Sequence, residues 1–423
     1  MLKIAKLLLL SFVIVTGTVF LCYAVEDSGC VNCHRGQDGE LRLPVTLWEG
    51  SVHKQAGVSC HDCHGGNSKI MDDTDKSMFD VAGFLGTPDK KKVPELCAKC
   101  HSDIGRMRRY NLRTDQFELY KSSVHGKKLY GEGDVNVAVC SSCHGAHDIK
   151  KVNDPNSHIY HTNVPDTCGK CHADKKLMDK YGIPSNQLSL FKEGYHGQIL
   201  YGKIQGKNPS LVPNCATCHG IHGATPPGVK ETADVCGNCH STILSYFKEG
   251  PHYEALQKSG GPKCYDCHDN HRNRMLTAEV FQGSEAGHCG ECHADRDTID
   301  IAKEIHELIL DTKDNLDRAE KAMKGIENSG RNMQDMEDLF NQAKTFYTEL
   351  GPLTHALSPK RINEINVKVT TNTDKIQKLT ADFNKNLEQR KKNLVYFLII
   401  IFAILLMLYL KYREVSLELE SKK

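Results

Sequence analysis

The chain has little of what builds an ordinary globular core. Only 39% of its 423 residues are hydrophobic and 7% are aromatic, with a single tryptophan, Trp48. Globular domains are usually about 45–50% apolar when glycine is counted, so a conventional core would be thin. Net charge is also nearly absent, at +1. Because the lysines are interleaved with acids and form no basic stripe, nucleic-acid binding has no support.

Long apolar runs are confined to the two ends of the sequence. Near the start, Lys3 and Lys6 precede a run over residues 7–21, which Cys22-Tyr23-Ala24 follows. This order predicts a secretory signal peptide over residues 1–24. An uncleaved membrane anchor and a lipidated Cys22 are the alternatives.

The second apolar run covers residues 394–410, with tyrosines near both of its ends. A helix of this length spans about 25 Å, the short limit for crossing a bilayer, and tyrosines fit the membrane interfaces. We therefore predict a single transmembrane helix over residues 393–412 and a cytoplasmic tail over residues 413–423.

Cysteine, in contrast, is abundant, and almost all of it falls in one pattern. Eighteen of the nineteen cysteines belong to nine Cys-x-x-Cys-His motifs, numbered 1 to 9 in chain order. Their cysteines and histidines are Cys30, Cys33 and His34; Cys60, Cys63 and His64; Cys97, Cys100 and His101; Cys140, Cys143 and His144; Cys168, Cys171 and His172; Cys215, Cys218 and His219; Cys236, Cys239 and His240; Cys264, Cys267 and His268; Cys289, Cys292 and His293.

This spacing is the attachment signature of haem c, in which two thiols bind the haem edge and the histidine binds the iron. Zinc ribbons would not explain a histidine after every second cysteine. We predict nine covalently bound haem c groups in a haem domain over residues 25–298, with the haems supplying the missing apolar core. Because covalent haem is attached outside the cytoplasm, this domain is expected on the periplasmic side of the cytoplasmic membrane.

A second set of histidines repeats with the motifs, which form one leading copy and four pairs. Some follow the first motif of a pair as CxxCH-x-x-His, and others lie five residues after an aromatic residue. We interpret the latter as short helices that bury the aromatic against a porphyrin and present the histidine to iron. The predicted distal ligands are His147, His222 and His271 of the first kind, His53, His125, His196 and His252 of the second, and the weaker copy His306.

The ninth distal ligand stays open at this point. Asn67 replaces the expected histidine after motif 2, so the first pair must borrow a ligand or use a methionine such as Met71 or Met78. A borrowed His158 or His161 is preferred, and His161 is taken as the candidate; His61 and His288 are the other histidines available. A haem without a distal ligand would be the place to look for catalysis.

Beyond motif 9, apolar residues recur at steps of three and four, which predicts helices. We expect a helical stalk over residues 299–392, built as an antiparallel hairpin followed by a long helix entering the membrane, with a possible homo-oligomer through its apolar seams. Ser358-Pro359 predicts a helix start, and Thr370, Thr371 and Thr373 predict a break. His355 receives no role.

Over residues 28–306 the paired motifs and second histidines resemble the multihaem cytochromes c of the doubled-CxxCH type from respiratory and metal-reducing prokaryotes. The resemblance implies a mostly α, loop-rich fold around stacked haems and periplasmic electron transfer, with the nine motif histidines as proximal ligands. The helical stalk and anchor are similar only in layout to hydroxylamine oxidoreductase-like octahaem proteins. The CxxCK variant of cytochrome c nitrite reductases is absent.

Three functions follow from these features. The first is a membrane-tethered electron carrier between a quinone pool or quinol-oxidising complex and extracytoplasmic redox partners, since histidine on both faces of iron leaves no room for substrate. The second is an oxidoreductase acting on a small nitrogen or sulfur compound at one open haem. The third is a redox sensor, for which the short cytoplasmic tail leaves no output domain.

Overall fold

A computed structural model describes residues 28–79, 83–227, 231–282, 288–329 and 332–421. Regular structure in these ranges is entirely helical, joined by much irregular loop, which confirms the predicted mostly α fold. The chain divides into two compact units, residues 1–226 and 227–423. Motifs 7 to 9 therefore share a unit with the C-terminal helices, whereas the sequence placed a boundary at 298. The predicted signal peptide lies outside the described residues.

The first unit contains fifteen short α-helices in its described part. They are α1 Gly29–Arg35, α2 Gly39–Glu49, α3 Val52–Gln55, α4 Cys60–His64, α5 Thr74–Met78, α6 Val93–His101, α7 Ile104–Met107, α8 Gln116–Ser122, α9 Val124–Gly131, α10 Cys140–His144, α11 Val164–His172, α12 Lys175–Asp179, α13 Gln187–Glu193, α14 Tyr195–Leu200 and α15 Cys215–His219. Single 3₁₀ turns lie at Lys90–Lys92, Arg108–Tyr110 and Pro209–Leu211.

The second unit adds four short helices and then three long ones. They are α16 Glu231–Gly237, α17 Ser241–Glu249, α18 Pro251–Ser259, α19 Cys264–His268, α20 Arg296–Lys324, α21 Gln334–Leu353 and α22 Pro359–Ser421, with 3₁₀ turns at Ala278–Phe281, His288–Glu291, Glu327–Ser329 and Thr354–Ala356.

Motifs 2, 4, 6 and 8 each form a separate helix of five residues, α4, α10, α15 and α19. So short a helix depends on its cap. The residue before the second cysteine provides it: Asp62 accepts a hydrogen bond of 2.7 Å from the backbone N–H of Ser59, and Asp266 accepts one of 2.8 Å from Lys263. Motifs 3 and 5 instead end the longer helices α6 and α11, which begin with Val-Pro, and proline suits a first turn.

The segments that join an aromatic residue to a distal histidine are helix junctions, not the single short helices predicted. Tyr120 lies in the last turn of α8, the backbone of Ser123 is extended, and His125 is the second residue of α9. Gly194 and Gly250 occupy the same extended position before α14 and α18. His306 differs, because it lies inside the continuous helix α20.

Gly126 and Gly197 let these junctions close tightly. A Cβ atom on Gly126 would lie 2.0 Å from the carbonyl oxygen of Tyr120, and one on Gly197 would lie 1.8 Å from that of Phe191. Such contacts are far inside van der Waals distance, so a side chain at either position would push the neighbouring histidine out of place.

The buried aromatics pack on protein side chains. Trp48 lies in a cluster with Val31 and Val45, and Tyr120 lies in another with Leu129. Trp48 Nε1 donates to the Val58 carbonyl at 2.9 Å, which ties the first junction to the loop before motif 2.

The helices α20, α21 and α22 form an up-down-up bundle around Ile305, Leu350 and Ile362 at one end and Ala319 and Ile376 further along. Because Thr312 bonds to Asn366 and Asn315 bonds to Thr370, α20 and α22 run parallel. The helix between them in the sequence, α21, runs antiparallel to both. The predicted hairpin is therefore a three-helix bundle that includes the long helix.

The predicted break at Thr370, Thr371 and Thr373 is wrong, since α22 is continuous through all three. Threonine can satisfy its hydroxyl within a helix by bonding to a carbonyl one turn back, and Thr371 does so to Val367 at 2.7 Å. Thr373 is fully buried in the bundle. Tertiary packing here outweighs the weak helix propensity of threonine.

Among the described residues, one helix is long and apolar enough to cross a membrane, the segment Pro359–Leu417 of α22. Its most apolar stretch is not buried against the rest of the protein. The apolar run over residues 394–410 thus continues directly from the bundle without a linker.

Candidate haem-binding sites

Six pairs of histidine rings face each other at nearly one distance. Their ring centres lie 6.0–6.2 Å apart. The pairs are His53 with His101, His64 with His147, His125 with His172 and His144 with His222 in the first unit, and His252 with His293 and His268 with His355 in the second. Each pair joins one motif histidine to one histidine outside the motifs.

This distance fits a single iron between two imidazoles. A ring nitrogen lies about 2 Å from a bound metal ion and about 1.1 Å from the centre of its own ring, so two rings on opposite sides of one iron have centres about 6 Å apart. Direct stacking of the rings would bring them much closer. No motif cysteine forms a disulfide in the described structure, and each paired motif histidine directly follows a motif cysteine in the sequence, so these sites fit covalently bound haem.

Backbone carbonyls orient several of the motif rings. The Nδ1–H group of His34 donates to the Leu41 carbonyl at 3.0 Å. That of His64 donates to the Gly86 carbonyl at 2.7 Å, and that of His268 donates to the Arg274 carbonyl at 3.0 Å. A hydrogen bond at Nδ1 sets the tautomer that leaves the Nε2 lone pair free for a metal.

Burial favours the neutral form of several other paired rings. It lowers the pKa of His144 to about 4, with a smaller contribution from the facing ring of His222. Burial lowers the pKa of His101, His125 and His355 in the same direction. A neutral imidazole is the form that binds metal.

In five of the six pairs the histidine outside the motifs faces the histidine of a motif two places away, whereas His355 follows motif 9 and faces motif 8. His147 and His222, which follow motifs 4 and 6, face the histidines of motifs 2 and 4. The junction histidines act in the other direction: His53 and His125, which follow motifs 1 and 3, face the histidines of motifs 3 and 5. If these rings bind iron, ligation would connect repeats that are not adjacent in the sequence.

The motif cysteines lie against one another in chain order. Cys97 of motif 3 and Cys140 of motif 4 share a hydrogen bond, as do Cys168 with Cys215 and Cys236 with Cys264. Burial and, to a smaller extent, the neighbouring thiol of Cys168 raise the pKa of Cys143 to about 11.

The remaining neighbours show the same order more weakly. Burial raises the pKa of Cys60, Cys63 and Cys267, and in each case a thiol of a neighbouring motif adds to the increase. These thiols are Cys30 beside Cys60, Cys100 beside Cys63 and Cys289 beside Cys267. Because each thiol marks a porphyrin edge, successive haems would be in edge contact from motif 1 to 6 and from motif 7 to 9.

Sequence reasoning missed His355. It lies in the 3₁₀ turn Thr354–Ala356 between α21 and α22, and its ring faces His268 at 6.1 Å with only 10° between the ring planes. Its Nδ1–H donates to the Pro352 carbonyl at 3.1 Å. No repeat pattern marks this histidine, so only the fold could reveal it.

The histidines considered for the ninth ligand have other surroundings. His158 Nε2 bonds to Asp148 at 2.7 Å, and His161 Nε2 donates to the Val212 carbonyl at 2.9 Å. His288 lies between Glu291 and Arg274. The ring that faces His64 is His147, so His147 is a further candidate for the ligand that the first motif pair borrows, and His161 stays a prediction.

Two further rings carry a buried nitrogen without a hydrogen-bond partner in the described structure, His61 at Nδ1 and His306 at Nε2. A buried, unpaired ring nitrogen is costly unless it has a metal or polar partner. His306 therefore stays a predicted ligand, as do His196 and His271. Within the described ranges no three His, Cys, Asp or Glu side chains converge as a metal-ion site, so a zinc arrangement has no support.

Comparison with known proteins agrees with this chemistry. The family described as cytochrome c7 and related cytochrome c matches residues 223–294. The multiheme cytochrome MtrA of Shewanella baltica is 24% identical over 293 residues, which cover 60% of this chain and 82% of MtrA. The C-type polyheme cytochrome OmcB of Geobacter sulfurreducens is 22% identical over 289 residues, or 58% of this chain but only 36% of OmcB.

The helical fold, the facing imidazoles and the motif cysteines are the features of a protein that binds haem for electron transfer. Together with these relatives, they show that the chain is a multihaem c-type cytochrome.

The ring planes predict two classes of ferric haem signal. His53–His101 and His125–His172 are tilted by 54°, whereas the other four pairs lie within 5–12° of parallel. Parallel rings split the iron d orbitals that bond to them, and strongly rotated rings leave those orbitals closer in energy. We expect electron paramagnetic resonance of the oxidised protein to show two distinct groups of low-spin signals.

Two matched variants assign these groups. His53→Met should remove one signal from the tilted class, and His147→Met should remove one from the parallel class. If both variants lose intensity from the same group, the difference in ring orientation between these two pairs is wrong.

Proposed function

We propose that this protein is a membrane-tethered carrier with nine haem c groups, which passes electrons between a membrane donor and redox partners outside the cytoplasm. The proposal rests on six pairs of imidazole rings, each with the spacing of two ligands on opposite sides of a single iron. An iron with histidine on both faces is closed to substrates but can exchange electrons.

The succession of cysteines supports transfer along the chain. Within each unit the thiols of successive motifs are hydrogen-bonded or lie near enough to shift each other's pKa, so an electron could move from haem to haem in sequence order. Such an order would make motifs 1 to 6 one conduit and motifs 7 to 9 a second.

The tether is proposed from α22. Residues 394–410 are apolar and lie in a helix of sufficient length. Because covalent haem is attached outside the cytoplasm, the proposal puts the haem-bearing residues on that side and the tail over residues 413–423 in the cytoplasm. An association of copies through the bundle is part of the same proposal.

The bundle also constrains the donor. His355 and the motif 8 and 9 rings lie at the end of the bundle where α22 begins at Pro359, and the apolar run begins 35 residues later. At 1.5 Å per residue this separates them by about 50 Å along the helix. A quinol within the bilayer therefore cannot reduce motifs 8 and 9 directly, and an intervening redox protein is the expected partner for them.

A spin count of the oxidised holoprotein tests the carrier proposal. Mass spectrometry gives the number of covalent haems, and electron paramagnetic resonance should then assign all of them as low-spin. Full reduction and reoxidation by small redox dyes should occur without any preference for nitrite, hydroxylamine or sulfite.

The competing proposal, an oxidoreductase acting on a small nitrogen or sulfur compound, requires one open haem. Motif 1 is the place to look, since no second imidazole in the described residues faces His34. A stoichiometric high-spin signal that shifts on addition of nitrite or sulfite would favour this function over the carrier.

A further inference from the structure

We propose that the helical bundle is itself part of a haem site, in which His355 binds the iron of the motif 8 haem opposite His268. The inference rests on the proposed haem content and goes beyond it, because it makes the bundle a structural partner of one particular haem. Within the predicted stalk, residues 299–392, the sequence predicts His306 as a ligand and assigns no role to His355.

The two rings are oriented from both sides. His268 donates its Nδ1–H to the Arg274 carbonyl, and His355 donates its Nδ1–H to the Pro352 carbonyl, at 3.0 and 3.1 Å. Each bond leaves Nε2 as the free nitrogen. With ring centres 6.1 Å apart and planes 10° from parallel, the pair has the same geometry as His64 with His147.

The bundle core holds His355 in this position. Its neighbours Leu353 and Ala356 are buried with Ile305 and Ile362, in the cluster where all three long helices meet. Leu357 then adopts a left-handed backbone with φ of 51°, which turns the chain into α22. Because Leu353 before it and Ala356 after it are both buried in this core, His355 cannot move away without disturbing the bundle.

The same corner is docked on the haem-bearing helices. Tyr246 of α17 donates its hydroxyl to Glu349 at 2.7 Å, and Arg361 pairs with Glu249. Gly250, which separates α17 from α18, lies so close that a Cβ atom would be 3.0 Å from the His355 carbonyl oxygen.

This docking links two ligands. α18 carries His252, which faces His293 of motif 9. The corner therefore positions distal histidines for both motif 8 and motif 9, and the motif 8 haem would join the bundle to the rest of its unit.

The test uses the full-length holoprotein with His355→Ala. We expect the number of covalent haems to stay the same, since the Cys264 and Cys267 thioethers are untouched, while one haem changes from low-spin to high-spin. Added imidazole should restore the low-spin signal. A lost structural contact would not respond to imidazole, so this rescue identifies a ligand.

The matched control is Thr354→Ala, which removes the neighbouring side chain of the same turn, whose hydroxyl donates to the Gly351 carbonyl. It should leave all low-spin signals in place. A second variant, His355→Met, should raise the midpoint potential of one haem and covers the case in which alanine disturbs folding. If neither His355 variant changes spin state or titration, His355 is not a ligand; if the unaltered protein lacks haem, the proposed function itself fails.

Discussion

Replacing both cysteines of motif 4, as Cys140→Ala with Cys143→Ala, should remove one haem and sever electron flow through the first unit. Cys140 lies against Cys97 of motif 3, and Cys143 lies against Cys168 of motif 5. Loss of this interior haem would open a gap that tunnelling crosses far more slowly, so the rate between motifs 3 and 5 should fall by orders of magnitude. Stopped-flow reduction by a protein donor, followed at the haem bands, should become biphasic.

The matched control removes the haem at one end of the order, with Cys30→Ala and Cys33→Ala. It also loses one haem by mass, but the remaining sites of the unit stay contiguous, so reduction should stay in a single phase. Equal slowing in both variants would show that haem loss as such, rather than position, determines the rate, and would contradict the proposed order.

Truncation after Lys392 should release the protein from the membrane with its haems intact. The deleted run contributes about 5–10 kcal/mol toward insertion, at roughly 0.3–0.6 kcal/mol for each large apolar residue. The last buried contact of α22 in the bundle is made by Thr380, with Phe383 packed alongside, so the fold should not depend on residues 393–423. Fractionation and haem staining measure the outcome.

A second truncation, after Arg413, keeps the apolar run and removes only the tail. It should remain in the membrane fraction. If the protein truncated after Lys392 also stays with the membrane, the haem region is held by another surface or partner, and the tether proposed from α22 is wrong.

The sequence predicts the cofactor better than the connections between its sites. The CxxCH spacing is local chemistry, and Asp62 and Asp266 even show how each short motif helix is capped. The junction histidines could be identified because they repeat. Their facing partners could not, since His53 and His125 each face the histidine of a motif two places away, and that pairing is set by how the repeats fold back.

His355 marks the limit of repeat-based reasoning. It occurs once, in the turn Thr354–Ala356, and its role depends on the packing of three helices. The threonines 370, 371 and 373 show the same limit from the other side. Propensity predicts a break there, but Thr370 accepts a hydrogen bond from Asn315 of α20, a partner that only the bundle brings to it.

The most direct test of the account is a single-particle structure of the full-length holoprotein. It should show one iron between each of the six imidazole pairs, including His268 with His355, and successive haems in motif order within each unit. An iron bound by a different axial ligand at any of these pairs, or neighbouring haems out of chain order, would contradict the central claim.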